Sequence, residues 1–460
     1  MTAFRYSIAA AVAVGCLAFI PALAAETADE RLKALEKQVE ALKKELATAQ
    51  GAGTLPADRL KELERQIDLL SREVEKMQIG EAAEKPLASK NGLGPAASKI
   101  YQKDKGVSIG GYGEVVYQNF DSSSDDGLPS GAHNTADLQR VVLYFGYKWN
   151  DSWLFNSEIE WEHATTGEGD EEKGEVSVEF ANLEYLIRKE ANVRAGLVLI
   201  PMGFINEMHE PPTYLGTRRP DVERLILPAT WREIGVGAFG DAGPVTYRAY
   251  VVAGLAAAGF EASGIREGRQ QGSGSVADDL ALTGRLDWTA TPGLVLGASF
   301  FTGKAGQGLQ DLSAAKIDAK TTILEGHVEW KWKGIEARGL FARTSIGDIA
   351  RTNDALGFTG TDSIGERQAG WYAQAGYDVL NFVEGTKQSL IPFARFEAYD
   401  TQRGVPTGFS RDGANDVTVK TIGLSWRPIT HIVVKADFQD IDNRAGSGTD
   451  QWNLGLGFIF

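Results

Sequence analysis

The chain has 460 residues, 43% of them hydrophobic, and carries 62 acidic against 47 basic side chains for a net charge of −15. Mean hydropathy is only −0.21, and beyond the N-terminus no apolar run approaches twenty residues, which excludes a second membrane-crossing helix. The acidic balance excludes a continuous basic surface for nucleic acid, and the five histidines, at 133, 163, 209, 327 and 431, have no metal-ligand spacing. No enzyme motif, metal or cofactor is indicated.

Residues 1–24 read as a signal peptide. Arg5 supplies the positive start, Ile8 to Ile20 the apolar core, Pro21 the break and Ala22-Leu23-Ala24 the cleavage site. Cys16, the one cysteine, lies inside this run, so the mature chain would hold none. The apolar run continues past Cys16, which disfavours a lipoprotein reading.

Residues 25–79 carry heptads. Leu32, Leu35, Val39, Leu42 and Leu46 alternate three and four apart, and Leu60, Leu63, Ile67, Leu70, Val74 and Met77 repeat the spacing in the same frame. Charged and polar residues fill most other positions, so the segment is expected to be a coiled coil. The break at Gly51–Pro56 permits an intrachain hairpin or two coaxial segments of an oligomeric bundle. The shared frame favours the second. Residues 80–106, rich in Ala, Gly, Pro, Lys and Ser and without periodicity, read as a flexible linker.

From 107 to 460 the period becomes two. Sixteen segments alternate: 107–119, 137–149, 152–164, 174–188, 192–200, 231–240, 244–254, 279–290, 293–303, 320–332, 334–345, 366–380, 388–400, 416–427, 429–440 and 450–460. In 279–290, Leu280, Leu282, Leu286 and Trp288 oppose Thr283, Arg285 and Asp287. In 450–460, Trp452, Leu454, Leu456, Phe458 and Phe460 share one face. The other faces carry too many charges for a dry interior. The expected fold is therefore all-β, a 16-stranded antiparallel transmembrane β-barrel, apolar toward lipid and polar toward water, with an N-terminal coiled-coil helical arm. Tyr and Trp near many segment ends suit the two lipid–water boundaries. Short connections at 150–151, 291–292, Gly334 and Pro428 alternate with long ones, which places the first strand's start, and the arm, on the periplasmic side.

One connection stands apart. Residues 201–230 hold five prolines and three arginines, Arg218, Arg219 and Arg224, among Glu207, Glu210, Asp221 and Glu223. So much proline and aliphatic content suits a loop folded inward against the lumen wall, where guanidinium groups would focus anions. A structured outer cap is the alternative. With Arg232 just beyond, these arginines form the candidate constriction. Strand alternation turns Arg140, Lys148, Arg194, Arg248, Arg285, Arg338, Arg395 and Lys435 inward, together with acids that include Glu158 and Glu160. These charges could steer solutes or simply pair to hold the wall.

The stretch Arg194-Ala195-Gly196, Pro201-Met202-Gly203, His209-Glu210-Pro211-Pro212, Arg219-Pro220 and Ile226 to Gly235 (ILPATWREIG) resembles the phosphate-selective porin O/P-like family of outer-membrane proteins. That resemblance implies a sixteen-stranded, trimeric, passive channel in the outer membrane, with its third external loop turned inward. It also implies a lysine cluster at the constriction, from which this chain departs: residues 201–230 contain no lysine. The functional expectation is passive diffusion of small hydrophilic solutes, chiefly anions, phosphate among them. The expected partners are two further copies of the chain, outer-membrane lipid and lipopolysaccharide, and peptidoglycan through the coiled coil. The alternative is a structural anchor linking outer membrane to cell wall, with a plugged barrel.

Overall fold

The computed structural model describes residues 28–52, 63–71, 74, 89–166 and 174–460. The signal peptide over 1–24, residues 53–62, 72–73 and 75–79 of the heptad segment (Leu60 and Met77 among them) and residues 80–88 of the linker lie outside this range. The chain divides into two compact units, one of residues up to Val74 with Asn381–Thr386 and the other holding the barrel.

In the arm, α1 spans Ala28–Ala52 and runs into the first residues of the expected break. Leu35, Val39, Leu42 and Leu46 are its less exposed apolar positions, with Lys37, Glu40, Lys43, Lys44 and Glu45 in solvent. The heptad spacing thus appears as one shielded stripe. No helix among the described residues is long and apolar enough to cross a membrane.

The barrel consists of sixteen antiparallel strands. In chain order they are β1 (Gly106–Phe120), β2 (Thr135–Lys148), β3 (Trp153–Glu162), β4 (Val176–Arg188), β5 (Ala191–Leu199), β6 (Arg232–Ala242), β7 (Val245–Ala253) and β8 (Leu280–Trp288). Next come β9 (Leu294–Gly303), β10 (Thr321–Trp332), β11 (Ile335–Ile346), β12 (Arg367–Tyr377), β13 (Ser389–Gly404), β14 (Asp416–Ile429), β15 (Ile432–Asn443) and β16 (Gln451–Ile459). Each strand pairs with its sequence neighbours, and β1 pairs with β16 from Tyr112↔Ile459 to Phe120↔Gln451, which closes the sheet. Phe460 N–H donates to the Gly111 carbonyl at 2.9 Å and Gly111 N–H to the Phe460 carbonyl at 3.0 Å, extending the seam. Closure leaves no unpaired strand edge, the condition for a sheet that faces lipid.

Alternation decides what faces where. Leu282, Leu286 and Leu456 are 45%, 59% and 44% exposed on the outer wall, while Arg285, Asp287 and Asn453 between them are buried. A one-residue slip would reverse every such pair, so the apolar face fixes register. Several Tyr and Trp sit near strand ends, with the Trp153 ring tilted 4.7 Å from Tyr185 and Trp330 stacked 6.0 Å from Trp332.

The interior differs from a polar, water-filled tunnel. One apolar cluster joins Tyr250, Val252, Ala281, Phe301, Ile323, Leu340, Ala342 and Tyr372 of β7–β12 to residues from the long connections, including Leu255, Phe260, Ile265, Ile317, Ala319, Ile349 and Ile364. Ile349 starts the short helix α2 (Ile349–Leu356). The charge count on the strands was right, but the loops bring their own apolar residues and build a dry core with the apolar inward positions near the long-loop end. Two segments fill the rest of the lumen, the loop 201–230 and Lys90–Lys103. The latter falls within the stretch expected to be a flexible linker. It instead forms a short 3₁₀ turn, Ala97–Gln102, whose Leu93, Ala96, Ala97 and Ile100 pack against Tyr112, Val142, Tyr144, Phe180, Leu199 and Ile459 on the inner wall.

Candidate channel constriction

Loop 201–230 leaves β5 and returns to β6 through the lumen, and its course is set by polar ties at named points. Gly203 turns the chain with φ +66°, a left-handed conformation that suits glycine. Its carbonyl accepts a hydrogen bond from Arg285 of β8. Glu223, fully buried, accepts from the backbone N–H of Phe204 and Ile205, both at 2.7 Å, and from the Tyr372 hydroxyl at 2.6 Å. One carboxylate thus joins the two ends of the loop to β12. Asn206 donates to the carbonyls of Ile200 and Trp231, at 2.6 and 2.8 Å, and pins the loop's entry to its exit.

Charged contacts then fasten the loop to the wall. Glu207 pairs with Arg248 at 2.8 Å and Arg285 at 3.5 Å. His209 meets Glu158 of β3 at 3.0 Å, and Tyr214 donates to Glu114 of β1 at 2.7 Å. Thr217 N–H donates to Asp437 of β15, and Val222 N–H donates to Glu397 of β13 at 3.2 Å. Phe204, Val222, Ile226, Leu227 and Trp231 bury the apolar side of the loop, with the Trp231 ring 4.6 Å from Phe301. The loop thus contacts strands β1, β3, β7, β8, β12, β13 and β15.

The four arginines expected at the constriction have different surroundings. Arg218 is half-buried and reaches Gln451 at 3.5 Å, while its own carbonyl accepts from Arg395. Arg219 donates to the His209 carbonyl at 3.3 Å, and its Nε has no partner. Arg224 is the most open and pairs with Asp221 at 2.9 Å. Arg232 is buried at the start of β6 and held by Glu179 of β4 at 2.6 Å, so it belongs to the wall. Arg218, Arg219 and Arg224 share the loop.

Most of the ten residues expected to line the lumen have opposite charges as neighbours. Arg140 pairs with Glu160 at 2.9 Å and Glu114 at 3.4 Å. Arg194 pairs with Glu184 at 2.7 Å, Arg248 and Arg285 share Asp287 at 2.8 Å, and Arg395 pairs with Glu397 at 2.7 Å. Arg338 binds Glu329 and also donates to the Thr213 carbonyl at 2.8 Å. Lys148, half-buried, donates to the Lys103 carbonyl at 2.8 Å. Lys435 has no hydrogen-bond partner and lies 3.6 Å from the Tyr214 ring centre. Glu158 and Glu160 are engaged by His209 and Arg140. The wall is thus a network of compensated charge, in which removing one partner would strand the other in a low-dielectric interior.

Two further arginines emerge that sequence reading passed over. Arg266 and Arg269 lie in the connection between β7 and β8, a Gly- and Ser-rich stretch that looked variable. Arg266 donates to the carbonyls of Ala229 and Arg224, and Arg269 to those of Thr230 at 2.6 Å and Pro228 at 3.3 Å. They hold the end of the inward loop by its backbone. Burial, with Arg269 and Arg224 close by, brings the Arg266 guanidinium down to about 9. No local sequence signal ties these residues to the loop.

No family model matches the chain. Among solved structures, the OmpF protein of Salmonella typhi, in complex with daunomycin, superposes with a TM-score of 0.53 at 13% identity, covering 78% of this chain and 99% of that one. At that identity the likeness establishes the barrel fold alone. A protein of Aquifex aeolicus (strain VF5), described as uncharacterised, is 38% identical over 386 residues, 82% of this chain and 85% of the relative. On that likeness, over most of both sequences and at a level that chance does not produce, the chain belongs to the family of the Aquifex aeolicus protein.

Proposed function

We propose that the chain is an outer-membrane channel for passive diffusion of small hydrophilic solutes, with a preference for anions, phosphate among them, set beside loop 201–230. One observation carries the reading: inside a closed barrel with an apolar outer wall, a long loop is pinned by Glu207, Glu223 and Asn206 so that Arg218, Arg219 and Arg224 ride on it. Arg266 and Arg269 add guanidinium groups at the same loop, where they bind its backbone carbonyls. Cations clustered where water is scarce attract anions more strongly than they would in bulk solvent. The resemblance to the phosphate-selective porin O/P-like family points the same way. In this reading the barrel is trimeric among lipid and lipopolysaccharide, and the arm lies in the periplasm within reach of peptidoglycan.

The test is planar-bilayer conductance, with reversal potentials across KCl and phosphate gradients. Replacing Arg218, Arg219 and Arg224 together by Ser should move the reversal potential toward cations while the barrel still folds. Unchanged selectivity would remove these arginines from the solute path. A structural anchor with a plugged barrel shares the packed lumen but predicts no conductance under any condition.

A further inference from the structure

The lumen is closed by two segments of unequal attachment. Loop 201–230 is held by ion pairs, a buried carboxylate hub and five large apolar side chains. Lys90–Lys103 is held more lightly. Its polar ties include the Ala96 N–H to Glu210 at 2.9 Å, the Ala97 carbonyl to Asn156 at 3.0 Å, the Asn91 carbonyl to Arg194 at 2.9 Å and the Tyr101 hydroxyl to Glu184 at 2.7 Å, with Arg194 also on that hydroxyl at 3.3 Å. To these Lys148 adds its bond to the Lys103 carbonyl. Its large buried aliphatic side chains are two, Leu93 and Ile100.

The position of this segment matters more than its strength. It is sandwiched between the inner wall of β1–β5 and the inward loop. A side chain at Gly92 would strike Glu207 and Arg248, and one at Gly94 would strike Glu210. Behind it the wall is polar: Asn156, Asn182, Glu184, Asn192 and Arg194 are all buried. The Asn182 Oδ1 has no hydrogen-bond partner, an arrangement that costs free energy in a dry site and none in a wet one. The opposite half of the lumen, over β7–β12, combines the apolar core with buried charges, Arg248, Arg285, Asp287, Glu325 and His327, that pair with one another or with loop 201–230. Behind Lys90–Lys103 one buried polar atom of the wall is left without a partner, whereas loop 201–230 is locked by both ion pairs and apolar packing.

We propose that Lys90–Lys103 is a displaceable plug: solutes pass along the polar wall of β1–β5 when this segment leaves, while loop 201–230 stays in place. The proposal rests on the channel reading above.

The full-length chain in planar bilayers tests this with two sets of variants, folding being checked by heat-dependent gel mobility. L93A/I100A weakens the plug without altering any lumen charge. It should raise the open probability by roughly tenfold or more, since one buried large-to-small change usually exceeds a tenfold increment. Ala97 is 2% exposed, and A97C puts a thiol under the docked plug in a chain whose Cys16 falls in the predicted signal peptide. A membrane-impermeant thiosulfonate should label A97C faster in the L93A/I100A background, and labelling should hold the channel open. A channel that conducts while A97C stays unlabelled, or whose conductance ignores L93A/I100A, overturns the plug and leaves the channel standing. A chain that folds and inserts but conducts in no variant overturns both.

Discussion

Glu210 is where the two lumen segments meet. Its carboxylate accepts from the Ala96 N–H through both oxygens, at 2.9 and 3.1 Å, and more weakly from Ala97 at 3.4 Å. Burial pushes this carboxyl up from 4.5 to about 8, with Glu158 adding to the rise; the Ala96 and Ala97 N–H groups and Tyr144 oppose it. His209 lies beside it, bonded to Glu158. The docked form therefore binds a proton more tightly than a solvated one does. Docking linked to Glu210 is fully present below about 4.5 and is lost as pH rises toward about 8. Thiol labelling of A97C should accelerate across that window, and E210Q should flatten the profile. A rate independent of pH with Glu210 intact would show that this carboxyl keeps its proton state through undocking. Nothing in the sequence near Glu210 announces such a role. It was read as one of four acids among arginines, and its partners lie more than a hundred residues upstream in a stretch without periodicity.

Strands and loops were legible to different degrees, for a physical reason. A strand on a lipid-facing barrel must alternate, so Leu282 and Leu286 against Arg285 and Asp287 write the outer and inner faces into the local sequence. The sixteen expected segments accordingly match β1–β16 with small shifts at their ends. Loop 201–230 was also readable, because its prolines and aliphatics are too dense for a loop in solvent. Lys90–Lys103 was not, because Leu93 and Ile100 have no repeat and find their partners only across the lumen. The same holds for Phe260, Ile265 and Ile317, which close the dry core from separate connections. The outer face gives a direct check at this scale. Leu282→Arg puts a charge against acyl chains and should lower barrel stability by ~2–4 kcal/mol if the site lies at the bilayer midplane. Reversible unfolding from lipid vesicles measures it, and a change below about 1 kcal/mol would place Leu282 at the interface.

At the scale of the whole molecule, the seam between β1 and β16 makes the fold indivisible. Val116↔Gly455 lies midway along the paired stretch, and Phe458 and Ile459 continue it beside Gly113 and Tyr112. Removing residues 456–460 would leave the start of β1 unpaired in lipid, where bare N–H and C=O groups cost several kcal/mol each. Such a chain should lose the heat-modifiable folded band altogether; a truncated chain that keeps it would mean that the distal pairs alone suffice.

The seam also dictates an order of assembly. Its halves come from opposite ends of the barrel sequence, so the cylinder can shut only once the final strand has been made. Loop 201–230, joined at both ends to neighbouring strands, is enclosed as it does, like contents sealed into a jar. Until then the open sheet offers two bare edges to any neighbouring chain. Pairings between such distant residues form slowly. The polypeptide must therefore stay open until its final strand is made, and the lid of the jar is the last piece to arrive.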